Sequence, residues 1–286
     1  MIKIIIDQYN EWLKSPEHYL NPEIYKNGYS PYWPPLQINA NLNLVDDDIF
    51  NKIEKCICVN ENGLIEYDNT IMTELDTKIF STLSNGVEKK VFSVGLEPQK
   101  SKTFEKSLKR LYPDYNSTNR KNKVYAKNVN ILEYLKIQLD HFNTNKEYIT
   151  KGFWPKMRHF VSGYTDLKEN ILENGVIHID LIPMHSKGHK GPICDKSISL
   201  FESKIQKLGV KKIFFNGKGA YKAFLKHKKL ETINEIDLGK MIIHISKLKE
   251  NNVTLFGFHQ LGSRYNNIKH IDIKEIGAKI KHLKLD

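Results

Sequence analysis

The sequence predicts an α/β fold, a three-layer sandwich with helices on both faces of a central four-stranded parallel sheet. Three observations carry this expectation. From residue 90 onward, short β-branched apolar runs alternate with segments of helical periodicity, the pattern of repeated strand and helix units. The run Gly175-Val176-Ile177-His178-Ile179-Asp180-Leu181-Ile182-Pro183-Met184-His185 is almost continuously apolar, as a strand covered on both faces must be. Each run also ends in a polar or glycine-bearing turn, and in an open parallel sheet those strand ends form the ligand-facing rim.

Four runs serve as the strands. Lys90-Val91-Phe92-Ser93-Val94-Gly95 stops at a sharp turn, Leu96-Glu97-Pro98-Gln99-Lys100. Pro98 disfavours helical backbone at Glu97 and fixes its own φ, so the Glu97 carboxylate is expected on a stiff extended turn. The second strand ends at Asp180. A carboxylate there must be paired, protonated or functional, because burying it bare costs several kcal/mol, on the order of an unpaired buried charge. Lys212-Ile213-Phe214-Phe215 ends at Asn216-Gly217-Lys218-Gly219, whose spacing is not that of a phosphate-binding P-loop. Val253-Thr254-Leu255-Phe256-Gly257-Phe258 runs into His259-Gln260-Leu261-Gly262-Ser263-Arg264. Glu97, Asp180, Lys218 and His259 therefore follow four different strands and are expected on one rim.

Helices are expected between the strands. Phe104, Leu108 and Leu111 recur at helical spacing, as do Leu132, Leu135, Leu139 and Phe142. The basic loop between them, Tyr112 to Lys123, suits either solvent or phosphate contact. Phe153 to Tyr164 predicts a helix with Trp154 and Phe160 inward. Ile198, Phe201, Ile205 and Leu208 mark another, and Ala220, Ala223 and Phe224 begin the next. Leu238, Met241, Ile242, Ile245 and Leu248 form a further apolar stripe capped by Asp237, and Asp272-x-x-Glu275 is a capping box for the last helix. Ser186-Lys187-Gly188-His189-Lys190-Gly191-Pro192 reads as a flexible basic loop.

The chain is expected to be one domain over 1–286, with residues 1–85 an irregular extension packed on a core at 86–286. Ile4 to Leu13 suggests a short helix and Tyr29 to Pro35 an ordered aromatic loop. Asp46-Asp47-Asp48 suits a helix start, where negative charge meets the N-terminal dipole. Cys56 and Cys58 alternate on one expected strand face. With Cys194 they make three cysteines, too few for a disulfide framework or a four-thiolate cluster, so no metal or other cofactor is expected. No run is long enough to span a bilayer and no signal peptide is evident, so the expectation is a cytoplasmic protein without membrane association. Lys+Arg 44 against Asp+Glu 33 favours a polyanionic partner, DNA or RNA. No obligatory protein partner is inferred.

Taken in order, these strand ends resemble the uracil-DNA glycosylase superfamily over roughly residues 90 to 285. Gly95-Leu96-Glu97-Pro98 resembles its first motif, a strand followed by Gly-x-Asp/Asn-Pro. His259-Gln260-Leu261-Gly262-Ser263-Arg264 resembles its last, and Phe214-Phe215-Asn216-Gly217-Lys218-Gly219-Ala220 resembles its strand followed by Gly-Lys-x-Ala and a helix. Where the family places a base-reading Asn, this chain has Asp180. The family closes its pocket with a Tyr or Gly after the Pro, whereas Gln99 stands here. The loop at His259 lacks the family's Pro-Ser.

The resemblance implies a monofunctional DNA glycosylase, without cofactor, that flips a base from the stack and hydrolyses its N-glycosidic bond. Glu97 would stabilise the cationic sugar and orient water, and His259 would donate to O2 of the departing base. Asp180, Gln99 and Gly95 would form the base pocket. Lys187, His189, Lys190, Lys218, Leu261, Ser263 and Arg264 would contact DNA, with Leu261 and Arg264 the candidate wedges. Asp180 points to a cytosine-type base, best matched by a protonated carboxyl that donates to N3 and accepts from N4. Gln99 leaves room at C5, as for the glucosylated hydroxymethylcytosine of certain phage genomes, which implies a role in antiviral defence. The alternatives are a uracil or mismatch repair glycosylase, a catalytically silent nucleic-acid-binding module, and a nucleoside or nucleotide hydrolase.

Overall fold

A computed structural model of the chain describes residues 3, 6, 7, 10, 11, 14, 47–96, 153–169, 171–181, 193, 195–239, 241–258 and 268–283. Where an irregular lead-in was expected, residues 47–84 form regular elements. Helix α1 (Asp47–Cys56) begins within the acidic run and leads into an antiparallel hairpin, β1 (Ile57–Val59) and β2 (Ile65–Tyr67). Asn60 organises the hairpin turn, its side-chain oxygen accepting from the N–H groups of Asn62 and Leu64 at 3.0 Å. Asp68 then caps α2 (Asn69–Ser84) by accepting from Thr70 and Ile71. Cys56 ends α1 and is buried, while Cys58 is exposed on β1, so the two do not share a strand face.

The main sheet has six strands: β3 (Val91–Gly95), β4 (Val176–Asp180), β5 (Lys212–Asn216), β6 (Asn234–Asp237), β7 (Ile242–Leu248) and β8 (Val253–Phe258). Their spatial order is β4-β3-β5-β8-β7-β6. The pairs β4/β3, β3/β5 and β5/β8 are parallel, whereas β8/β7 and β7/β6 are antiparallel. The sheet is thus mixed and six-stranded, where four parallel strands were expected. The difference arises at residues 238–248, expected as a helix capped by Asp237. Their apolar residues fit strand alternation as well, with Ile243 and Ile245 buried and Ile242 exposed, and β-branched isoleucines favour the strand. Asp237 accepts from the Gly239 N–H at 2.7 Å, and Gly239 takes a φ of 83°, so the aspartate closes a hairpin turn and not a helix.

Helices cover both sheet faces: α3 (Phe153–Thr165), α4 (Ile171–Gly175), α5 (Asp195–Leu208), α6 (Lys218–Lys228) and α7 (His270–Lys281). Alternation along the strands divides the core in two. Phe92, Val94, Ile177, Ile179, Ile213, Phe215 and Leu255 pack with residues of α1, α2, α5 and α6. Val91, Val176, Phe214, Phe256, Phe258, Ile243 and Ile245 pack with α3 and α7. The result is a mixed α/β arrangement in three layers. Burying each such large apolar side chain contributes about 1.5–3 kcal/mol. Phe160, fully buried on α3, meets Phe214 edge-on at 5.5 Å, and Phe214 stacks on Phe256 at 4.9 Å.

The crossing of α3 and α7 sets where α3 begins beside the sheet. A Cβ on Gly163 would lie 2.0 Å from the Lys274 carbonyl oxygen, and one on Gly277 would lie 2.3 Å from that of Phe160. Glycines here let the two helix backbones touch. The expected capping box shifts by three residues: α7 begins at His270, and Asp272 in its first turn accepts from the Lys269 N–H at 3.2 Å. Among the described residues no helix is long and apolar enough to cross a membrane.

Candidate functional site

The four parallel strands end on one rim, at Gly95, Asp180, Asn216 and Phe258. β3 and β4 are neighbours whose final residues are register partners, Gly95 opposite Asp180, and the Leu181 N–H closes the ladder on the Gly95 carbonyl at 3.0 Å. The first expected motif therefore leaves the sheet beside the strand end that carries Asp180. Gly95 is required by this pairing. A Cβ there would lie 1.9 Å from Asp180 Oδ1 and 3.1 Å from its Cγ, so the carboxylate occupies the space that any other residue would fill.

Asp180 is buried, with 7% of its surface exposed. His178, two residues earlier on the same strand face, places Nε2 3.7 Å from Asp180 Oδ1. The other ring nitrogen, Nδ1, lies 3.1 Å from Ser93 Oγ, and Ser93 is the register partner of His178 on β3. Burial pushes the His178 pKa down to about 4, so the ring is neutral at pH 7. The carboxylate beside Nε2 favours a proton on that nitrogen, leaving Nδ1 to accept from the Ser93 hydroxyl.

Two half-buried aromatic side chains at the start of α3 enclose the imidazole. Phe153 and Trp154 lie 4.9 Å apart, with centroids 5.6 and 5.5 Å from the His178 ring. They exclude water from one side of the His178–Asp180 pair. On the opposite face of the sheet, α5 contributes Lys204, a lysine with only 6% of its surface exposed. Desolvation pulls its pKa down to about 8, opposed by the Asp180 carboxylate, which favours the ammonium.

Sequence reasoning reached Gly95 and Asp180 but passed over His178, Ser93 and Lys204. The signals were present. His178 and Asp180 share one face of a buried strand, as Ser93 and Gly95 do on its neighbour. Lys204 lies three residues after Phe201 and seven after Ser197, on the inward side of an amphipathic helix that buries Ile198, Phe201, Ile205 and Leu208.

Lys218 opens α6 at the same rim and is half-buried. Gly217 precedes it with a φ of 120°, and its N–H donates to the Phe258 carbonyl at 3.1 Å, tying the end of β5 to the end of β8. The remaining expected site residues, Glu97, Gln99, Lys187, His189, Lys190, His259, Leu261, Ser263 and Arg264, lie outside the described residues. Among the described residues no group of three or more His, Cys, Asp or Glu side chains forms a metal site.

The arrangement offers a desolvated carboxylate at the ligand-facing end of a parallel strand, with a neutral imidazole and a buried ammonium around it. Such a carboxylate can read hydrogen-bond donors on a planar ligand in a dry setting. No family model, curated protein or solved structure matches the chain.

Proposed function

We propose that the protein is a DNA glycosylase that flips out a cytosine-type base enlarged at C5 and hydrolyses its N-glycosidic bond, leaving an abasic site. The observation that carries this reading is the register of Gly95 with Asp180 and the seat of the Asp180 carboxylate over Gly95. A first-motif glycine and a base-reading position need to be adjacent for one pocket to serve both.

Flipping costs a few kcal/mol, about the strength of the lost stacking and pairing, which contacts within the pocket offset. Asp180 reads the amino and ring-nitrogen edge of the base. Breaking the bond builds positive charge on the sugar and negative charge on the departing base, as in glycoside hydrolysis. Glu97 stabilises the sugar cation and orients the attacking water. Neutral His259 donates to O2 of the base, an oxyanion-type contribution of about 3 kcal/mol. Lys187, His189, Lys190 and Lys218 meet the phosphates, which accords with 44 basic against 33 acidic residues. Leu261 or Arg264 fills the gap left by the flipped base, with Ser263 on the adjacent phosphate. Gln99 leaves the C5 side open, suiting a hydroxymethyl or glucosylated hydroxymethyl group and hence action on phage DNA.

Duplex oligonucleotides carrying uracil, cytosine, hydroxymethylcytosine or its glucosylated form, treated with alkali after incubation, test the reading. Breaks at a C5-modified cytosine are expected. Breaks at uracil alone would make this a uracil repair enzyme, and DNA binding without breaks at any base would make it a silent binding module. Glu97→Gln is expected to abolish turnover while sparing binding; near-normal turnover removes Glu97 from the mechanism.

A further inference from the structure

We propose that Lys204 sets the base specificity of this site: its ammonium holds the buried Asp180 as a carboxylate, so that Asp180 selects a cytosine-type base protonated at N3 and rejects a uracil-type base. The inference rests on the glycosylase reading and names the chemical form of its substrate.

Both residues are more than nine-tenths buried, and they carry opposite charges at the end of β4. A lysine this deeply buried is stable as an ammonium only with a compensating charge, and the Asp180 carboxylate acts on it in that sense. The other charged groups on α5 nearest to Lys204 in sequence are engaged elsewhere. Glu202 pairs with Lys228 at 2.7 Å, and Lys207 lies over the Phe80 ring of α2 at 5.4 Å. Among the described residues, the elements around Asp180 supply His178 from its own strand, Ser93 and Gly95 from β3, and Phe153 and Trp154 from α3. His178 is the titratable member of that set, and it is neutral near pH 7. Lys204 is therefore the cation that decides the charge of Asp180.

The charge state decides which base fits. A neutral carboxyl has one donor and one acceptor and matches either the O4 and N3–H edge of uracil or the N4–H and N3 edge of neutral cytosine. A carboxylate only accepts. Against uracil one oxygen meets N3–H, but the other faces O4. Against neutral cytosine one oxygen meets N4–H, and the other faces the N3 lone pair. With N3 protonated, both oxygens meet donors in a bidentate, charge-assisted pair. Each mismatch leaves a buried acceptor unpaired, which is worth about tenfold or more in discrimination. The proton expected on Asp180 is thereby relocated to the base.

This form also makes a better leaving group. Solvent supplies the proton at N3, and the C1′–N1 bond breaks with its electron pair going to N1, so the base departs neutral. Water adds to C1′ and returns one proton to solvent, leaving no net proton change.

Two measurements on the full chain test the proposal. The first follows the Asp180 carboxyl by carbon NMR with labelled aspartate, the resonance identified by its loss in Asp180→Asn. Wild type is expected to stay ionised from about pH 5.5 to 8.5, whereas in Lys204→Met the carboxyl takes up a proton within that range. The second compares excision of modified cytosine and uracil. The preference for cytosine is expected to fall by about tenfold or more in Lys204→Met and to return in Lys204→Arg. A structural role for Lys204 would lower both activities together and would not create uracil excision. If Lys204→Met does not fold, Lys204→Gln carries the same comparison. Unchanged carboxyl titration and unchanged base preference in a folded variant overturn the inference while the glycosylase reading stands. A Lys204-dependent titration without release of any base by wild type overturns the glycosylase reading, and the specificity role with it.

Discussion

Gly95→Ala is the smallest change that separates the strand-end geometry from general stability. Alanine can adopt the extended backbone of β3, and replacing glycine there gains about 0.4–1 kcal/mol by restricting the unfolded chain. Against this stands the added methyl, 1.9 Å from Asp180 Oδ1 and 3.5 Å from His178 Cε1. Ordinary carbon–oxygen contact requires the carboxylate to retreat by more than an ångström, and Asp180 has little room because it is buried beside His178. Overpacking of this kind costs about 1–3 kcal/mol, and turning the side chain off its rotamer adds about 0.5–1.5 kcal/mol. The steric cost wins, and the net expected loss is about 1–3 kcal/mol. Urea denaturation of Gly95→Ala, Asp180→Ala and the double variant reads this directly. Removing the Asp180 carboxylate relieves the clash, so the double variant is expected to be more stable than the sum of the single changes allows, with a coupling of about 1–2 kcal/mol. Additive effects, or a Gly95→Ala protein as stable as wild type, would refute the claim that Asp180 occupies the space over Gly95.

Other predictions follow from the same structure. The folded pKa of His178 lies at about 4, below its unfolded value of about 6.5, so the unfolded chain binds more protons in that window and stability is lost as pH falls through it. The loss is on the order of 2–3 kcal/mol between those pH values and complete above neither; urea melts at stepped pH should show it in wild type and not in His178→Gln, and equal slopes would count against a neutral buried imidazole. At the α3/α7 crossing, Gly163→Ala meets a backbone carbonyl that cannot rotate away, so it is expected to cost about 3 kcal/mol in thermal melts, and a loss below about 1 kcal/mol would show that the helices separate easily. Asp180→Asn replaces an acceptor pair by a donor and an acceptor and is expected to move base preference toward uracil in the oligonucleotide assay. An unchanged preference would mean that Asp180 does not read the base.

Much of the architecture was legible in the sequence because it rests on local patterns. Val91 to Gly95, Val176 to Asp180, Ile213 to Phe215 and Val253 to Phe258 read as strands because continuous β-branched and aromatic runs bounded by turn residues have few other uses in a buried sheet. The acidic run before Ile49 marked the start of α1 for a similarly local reason, the dipole at a helix N-terminus. The 238–248 segment was misread because isoleucines at 242, 243 and 245 satisfy both periodicities. The antiparallel pairing with β8 then selected the strand, and that contact is not encoded in the segment itself.

The candidate site divides in the same way. Residue order alone marked Gly95 and Asp180, since a glycine at a strand end and a carboxylate in an apolar run are conspicuous without any fold. Their meaning came from pairing. Residues 85 positions apart become neighbours only when β3 and β4 align in register, and the absence of a side chain on one then makes room for the carboxylate of the other. His178 and Ser93 meet through that same register, and Lys204 gains its partner only because α5 packs against the sheet. The amino-acid sequence by itself determined that this chain would build an α/β core with polar strand ends on one rim. Tertiary structure decided which of those ends touch and which charges face one another, because sheet register and helix packing depend on contacts between segments far apart in the chain, which no local pattern specifies.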